Sequence, residues 1–448
     1  MDPILYWNDV ALEANRVSHT NGKQEQTGPT LSSRALAIVH LAMYDAYAGV
    51  VNIATPGTLS PYLAGLPAAK AGASADAAVA AAAHATLHQL FPSQRAFLDA
   101  KHAGAGFSGS GLSDGHAFGL IVANALLADR RGDPDASDRG YASSNARGAH
   151  RPDPDNSEQG FHAPFYGARS KCFAVQGRHG LSSPPRPGDA AYTKALKEVR
   201  GKGIAPELMG TLSAGLSKRT VDESLIGVFW GYDGASELGT PPRLYNQIIR
   251  RIAEARGNTF AQNARLFALV NVAMGDAGIL AWDQKYIHDL WRPIVGIREH
   301  DSSMGPAGTG TNDINNDTDP GWLPLGAPAT NSLKREVIAQ YPSSYMVTST
   351  TKNFTPPFPA YPSGHATFGA AAFQSVRLFY NVTANGPDQL FNGMSFVSDE
   401  HNGASKDNNG TVRPRHARTF PDGLWPVSYT HLRAHETKAN LVCRLLLE

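Results

Sequence analysis

Cysteine is almost missing. Only Cys172 and Cys443 occur in 448 residues, so no disulfide framework is implied. An excess of one charge is missing too, with 40 Lys and Arg against 39 Asp and Glu and a net charge of +1. Bulk electrostatics therefore offers nothing to nucleic acid or to an anionic membrane, and any anion selectivity has to come from local clusters. No stretch reaches the roughly 18 uninterrupted apolar residues of a membrane span. The alanine-rich run around Ala77–Ala85 is short and bounded by His84 and His88. The start, Met1 to Asn8, has neither the basic region nor the apolar run of a signal peptide. No alternating β-branched run is long enough to argue for a sheet. The expectation is a soluble protein without a membrane or nucleic-acid partner, its compartment and oligomeric state open.

What is present reads as helix. Hydrophobic content of 42% and charged content of 18% suit a globular chain long enough to bury a large core. Apolar residues recur at three and four spacing over 35–50, which predicts one buried helix face. Similar patterns cover 73–91, 94–102, 111–130, 189–200, 219–230 and 243–256, and the longest runs over roughly 259–291. Residues 131–188 mix Arg, Asp, Gly, Ser and Pro and read as a long connection. The expected fold is all-α: two tandem helical bundles, 1–188 and 189–425, with the site in the core of the second. Within 301–331, Asp313, Asn315, Asp317 and Asp319 sit two apart like calcium ligands. The Gly and Glu that such a loop needs are missing, so a solvated loop is expected.

Two clusters carry chemistry. In Trp282-Asp283-Gln284-Lys285 and Trp291-Arg292-Pro293, Lys285 and Arg292 are seven apart, close to two helical turns. Both then point to one side and bracket a space about 10 Å long that suits a small oxyanion. Pro293 disfavours helix at Arg292, which sets the helix end there. Taken alone, this spacing describes any solvated pair of cations. The second cluster is Pro356-Pro357-Phe358-Pro359-Ala360-Tyr361-Pro362-Ser363-Gly364-His365. Prolines prohibit helix upstream, Ser363 is a natural N-cap, and the helix start offers free N–H groups to an anion. Glycine at 364 allows close approach. His365 falls in the first turn, where the helix dipole favours its neutral form and suits proton transfer. The plain alternative is a capped helix with a packed histidine.

These residues resemble the superfamily shared by vanadium haloperoxidases and type 2 phosphatidic acid phosphatases, whose pattern is Lys-x6-Arg-Pro, then Pro-Ser-Gly-His, then Ser-Arg-x5-His. The likeness is to the fungal-type chloroperoxidases and their bacterial relatives. It also rests on Trp230 to Gly234, Gly239 to Arg243, Ala264 to Phe267, Asp276 to Gly278 and Leu325 to Asn331. The resemblance implies that Lys285, Arg292, Ser363 and the Gly364 N–H bind vanadate, and that His365 is the acid–base group. It further implies that Trp282 and Phe358 flank the halide, and that Asp233 pairs with the third-motif arginine. Core packing is the bland reading for Trp282 and Phe358, and a turn residue for Asp233. The implied reaction takes hydrogen peroxide and halide to a hypohalous-acid equivalent that halogenates an organic acceptor. Cationic side chains withdraw charge from the bound peroxide.

The chain departs from the family pattern at its third motif. After Arg413 to Phe420 no Ser-Arg-x5-His follows. Residues 426–448 instead resemble translated adapter read-through, joined near Trp425–Val427. The expectation is a chain cut before the axial histidine and inactive or nearly so, from an active parent. The alternative is a genuine helix, with Leu441, Val442, Leu445 and Leu446 as its stripe and His431 or His435 recruited to the metal. Two competing functions are an acid phosphatase of the same superfamily, since vanadate and phosphate share shape and charge, and a non-catalytic oxyanion-binding helical protein. Trp282 and Phe358 favour halide, and the lack of spans disfavours a lipid phosphatase.

Overall fold

The computed structural model describes residues 2–230, 238–314, 317–325, 355–382, 390, 393–404, 412 and 414–419. Asp233, most of the segment Leu325 to Asn331, and the tail with His431, His435 and Cys443 lie outside the described residues. Twelve helices carry the fold among the described residues. In the first half they are α1 (Pro3–Ser18), α2 (Gly28–Ala54), α3 (Ala75–Leu90), α4 (Arg95–Ala103), α5 (Leu112–Asp129) and α6 (Tyr166–Arg169). The second half has α7 (Ala190–Lys202), α8 (Val221–Phe229), α9 (Pro241–Arg256), α10 (Phe260–His288), α11 (Pro293–Arg298) and α12 (Gly364–Phe379). The strand content described is one two-residue antiparallel ladder, β1 (Ser395–Phe396) against β2 (Arg418–Thr419).

The ends of these helices follow from local chemistry. α10 starts in a capping box: the Thr259 hydroxyl accepts from Gln262 N–H, and the Gln262 side chain accepts from Thr259 N–H. α8 starts the same way at Thr220 and Glu223. α1, which periodicity does not mark, has its own signature in Asp2-Pro3: the carboxylate accepts from Leu5 N–H at 3.0 Å and proline fills the first turn.

Most of α10 is buried, and its partners are α2 on one side and α12 on the other. Small residues set that approach. A Cβ at Gly278 would stand 2.9 Å from Ser33 Oγ of α2 and 3.1 Å from the Phe368 ring of α12, so only glycine lets the three helices close up here. One apolar core runs from Trp7 and the α2–α3–α5 bundle through α9 and α10 to Phe368 and Phe373 of α12. A smaller cluster joins Leu196 of α7 to Trp291, Ile294, Val295, Ile297 and Trp322.

Two helices, Gly28–Ala54 and Phe260–His288, are long and apolar enough to cross a membrane by composition. Their apolar windows are 61% and 72% buried inside the protein, and α10 also buries Asn263, Asn271, Asp276, Gln284 and Lys285. Both are core helices. The acidic loop meets cations of α7, with Lys197 Nζ 3.4 Å from Asp317 and Arg200 Nε 3.8 Å from Asp319.

Candidate oxyanion site

The site forms where α10 ends and α12 begins. α10 stops at His288, because Asp289 takes a left-handed conformation (φ 47°) as its C-cap. Lys285 is therefore in the last turn, and Arg292 is not on the helix. This corrects the expectation of two cations on one helix face. Arg292 has an extended backbone (φ −75°, ψ 154°) ahead of Pro293, as the proline demands, and caps α11. What returns it to the site is a short extended stretch pinned on both sides. Leu290 bridges Ala149, Trp291 N–H donates to Gly148 O at 2.9 Å, and Ala360 N–H donates to Leu290 O at 2.8 Å.

Lys285 is fully buried and donates from Nζ to Pro359 O at 2.9 Å and to Pro362 O. Its ammonium lies 5.0 Å from the Phe358 ring centre, and the Arg292 guanidinium lies 5.4 Å from the same ring. The two cations thus converge on one aromatic side chain, which both can polarise. Lys285 also locks the proline-rich turn that delivers Ser363.

Ser363 caps α12 as its position predicts. Its Oγ accepts from Ala366 N–H at 3.2 Å, and its carbonyl accepts the Thr367 N–H at 3.1 Å. An accepting hydroxyl keeps its own O–H to donate. The Gly364 and His365 amides precede the first of these bonds, at the positive end of a 16-residue helix. Tyr245 O–H donates to His365 O at 2.7 Å and holds the turn from the α9 side.

A narrow cleft is lined by Pro29, Pro241, Trp282, Arg292, Phe358, Gly364, His365 and Phe368. Among the described residues no carboxylate lines it. Trp282 and Phe358 stand 4.8 Å apart at 55°, both buried, as one wall. The structure thus brings Lys285, Arg292, Ser363, Gly364, His365, Trp282 and Phe358 to one place. A positive guanidinium and helix-start amides in one cleft suit a small oxyanion by the chemistry of the donors present.

Two groups from the 131–188 connection were missed, because no spacing rule marks a loop histidine. His150 is fully buried, and neither ring nitrogen has a hydrogen-bond partner among the described residues. Burial, then the charges of Arg292, Lys285 and Arg151, push its pKa down to about 3 and keep it neutral. His162 lies against the wall, 6.0 Å from the Trp282 ring, and its carbonyl accepts from Trp282 Nε1 at 3.3 Å and Tyr286 O–H at 2.8 Å. Burial lowers its pKa to about 4.

The third-motif spacing does occur once, as Ser33-Arg34 to His40 on α2. The structure rules it out as part of this site. His40 stacks on Phe267 at 5.9 Å, and its Nε2 meets Asn8 Nδ2 at 2.9 Å. Phe267 is 18 residues up α10 from Lys285, about 27 Å along the helix axis.

The described residues thus define a mostly helical protein with a cationic cleft at a helix start. Comparison with known proteins narrows that class. The vanadium chloroperoxidase N-terminal domain model matches residues 1–159, and the VCPO second helical-bundle domain model matches 265–439. The vanadium chloroperoxidase of Curvularia inaequalis is 36% identical over 506 residues, covering 95% of this chain and 76% of that protein. The chain belongs to the vanadium chloroperoxidase family, whose members are peroxidase-class enzymes.

Solved structures share the fold. The first bacterial vanadium-dependent iodoperoxidase superposes with a TM-score of 0.62 at 20% identity, covering 95% of this chain and 88% of its own. A holo-type bacterial vanadium-dependent chloroperoxidase gives 0.59 at 16% identity, covering 95% and 92%.

Proposed function

We propose that the protein is a vanadate-dependent haloperoxidase that oxidises halide with hydrogen peroxide to a hypohalous-acid equivalent. The cleft in which Arg292, Gly364 and His365 meet beside Trp282 and Phe358 carries this reading. Lys285 and Arg292 hold the vanadate oxygens by charge, and Ser363 O–H and Gly364 N–H add hydrogen bonds. His365 is the acid–base group, exchanging a proton at Nε2. Bound vanadate supplies an electrophilic centre that activates peroxide without a change in its oxidation state. Trp282 and Phe358 form the buried aromatic wall beside the halide, and the phenyl ring of Phe358 favours chloride as well as bromide. Asp233 pairs with a third-motif arginine in this reading, and residues 189–425 are the catalytic unit. The N-terminal half completes the cleft wall through Pro29.

Within the 448 residues the third-motif spacing occurs only on α2, where its histidine, His40, packs on Phe267 far along α10 from Lys285. We therefore propose that this chain holds vanadate by charge and hydrogen bonds alone and halogenates weakly or not at all. The protein extended with a Ser-Arg-x5-His segment is the active form.

The test measures vanadate affinity of the chain by calorimetry, and bromination by the extended protein with and without vanadate, alongside a phosphate ester. Vanadate-dependent bromination is expected, together with at least a tenfold loss of affinity in Lys285→Met and Arg292→Met. Phosphate release without vanadate would replace this function by a phosphatase. Robust bromination by the 448-residue chain would overturn the second proposal.

A further inference from the structure

On the outer side of the N-terminal bundle, away from the cleft, four histidines and one aspartate gather from three helices. His84 and His88 are one turn apart on α3 and share a face. Asp99 and His102 are three apart on α4, which folds back on α3 through the turn at Pro92–Gln94. His116 comes from α5. The Asp99 Oδ1 lies 2.8 Å from His84 Nε2 and 3.3 Å from His88 Nε2. Ring centres are 5.1 Å apart for His84 and His88, 4.5 Å for His84 and His102, and 5.5 Å for His102 and His116.

The oxyanion chemistry uses none of these groups. Their density exceeds what a hydrogen-bonded pair requires, since one carboxylate faces several rings. Trp7, fully buried, packs beside both His84 (6.3 Å) and His102 (6.1 Å). Two imidazoles at i and i+4 on one helix, with an oxygen donor across a short turn, is a ligand arrangement for a borderline-soft divalent cation.

We propose that His84, His88 and Asp99, with solvent completing the shell, bind a divalent transition cation of the zinc type. The three ligand atoms of His84, His88 and Asp99 already lie within 4.8 Å of one another. Tetrahedral zinc with bonds of about 2.0–2.1 Å needs them about 3.4 Å apart. Small side-chain rotations close that gap, and these groups are free to make them: the side chains of His84, His88 and Asp99 are 19%, 31% and 59% exposed. Two nitrogen donors against one oxygen select zinc, nickel or copper over magnesium and calcium. The bound cation clips α4 to α3, and binding to the folded state alone stabilises the bundle.

The experiment titrates Zn²⁺ into untagged, chelator-treated full chain by calorimetry, with melting temperature followed in parallel. One ion per chain at micromolar Kd is expected, with a rise in Tm that Mg²⁺ and Ca²⁺ do not produce. The double variant His84→Gln/His88→Gln should bind Zn²⁺ at least tenfold more weakly. Co²⁺ added to the unmodified protein provides a readout that needs no variant, since imidazole ligation in a four-coordinate site gives an intense visible band. Unchanged Zn²⁺ affinity in the double variant, absence of saturable binding, or a Co²⁺ spectrum matching the aqueous ion would overturn the proposal.

Discussion

Asp276 shows how much one side chain inside α10 can organise. It is buried, and its two carboxylate oxygens accept the backbone N–H groups of Phe173, Ala174 and Val175. The connection that brings His162 to the wall of the cleft is thus tied to the middle of the core helix. Replacing Asp276 by Ala strands the buried Phe173 N–H and takes the acceptor from the Ala174 and Val175 N–H groups, and hydrogen bonds to a charged group are each worth about 1.5–3 kcal/mol. Asp276→Ala should lower unfolding free energy by about 3 kcal/mol or more in urea titrations, and Asp276→Asn by less. A cost under about 1 kcal/mol would mean the loop is held by other contacts.

Gly167 is a second such point. A Cβ there would lie 1.9 Å from Asp283 N in α10, a clash with backbone that cannot swing away. Gly167→Ala should therefore destabilise by roughly 2–3 kcal/mol. Gly177→Ala meets nothing within 4 Å and should be near neutral. Equal melting temperatures for the two variants would contradict the close α6–α10 contact.

At the scale of elements, the site depends on how three backbones terminate. α10 must end at Asp289, the 290–292 stretch must run extended, and α12 must start at Gly364. Ser363 serves both stability and function here, accepting from Ala366 N–H while keeping a proton to donate. Ser363→Ala should cost about 1 kcal/mol in stability as a lost N-cap. In the proposed function it should also weaken vanadate binding several-fold, measured by calorimetry. Ser363→Gly should recover most of the stability and none of the affinity. Recovery of both would assign the hydroxyl to capping alone.

The same scale explains what spacing could and could not show. The helix patterns over 73–91, 94–102 and 111–130 correspond to α3, α4 and α5 within one or two residues, because apolar periodicity is a local property of a helix packed on one face. The seven-residue interval from Lys285 to Arg292 pointed to convergence by way of a helix that does not extend that far. The cations do converge, through a chain reversal and backbone bonds to residues 148 and 360. Such partners are remote in sequence, and no spacing rule contains them.

For the whole molecule, the buried histidines set the response to acid. His40 and His162 are pushed down to about 4 and His150 to about 3, and His19 to about 4, in each case first by burial. Groups with a folded pKa below the unfolded value of about 6.5 leave stability untouched above that pH. Below it the unfolded chain takes up protons that the folded one refuses, so stability falls between about pH 6.5 and pH 4. Asp45 and Asp289, raised to about 6 by burial, act the other way by binding protons in the folded state over the same window. Asp153, also raised, adds to that opposition. The histidines outnumber and outweigh these carboxylates. The net slope should be roughly 1–3 kcal/mol lost per pH unit. Urea midpoints that stay flat or rise from pH 6.5 to pH 4 would contradict this account.

The sequence by itself determined the all-helical fold, most helix ends, the Ser363 cap and the identity of the groups that gather at the cleft. Each of these depends on residues within a few turns of one another, where propensity, capping and proline geometry act. Tertiary structure alone decided that Arg292 reaches the site from outside the helix, that His150 and His162 attend it, and that Ser33 to His40 does not. Those outcomes depend on which distant backbones meet, and burial, not spacing, selects them.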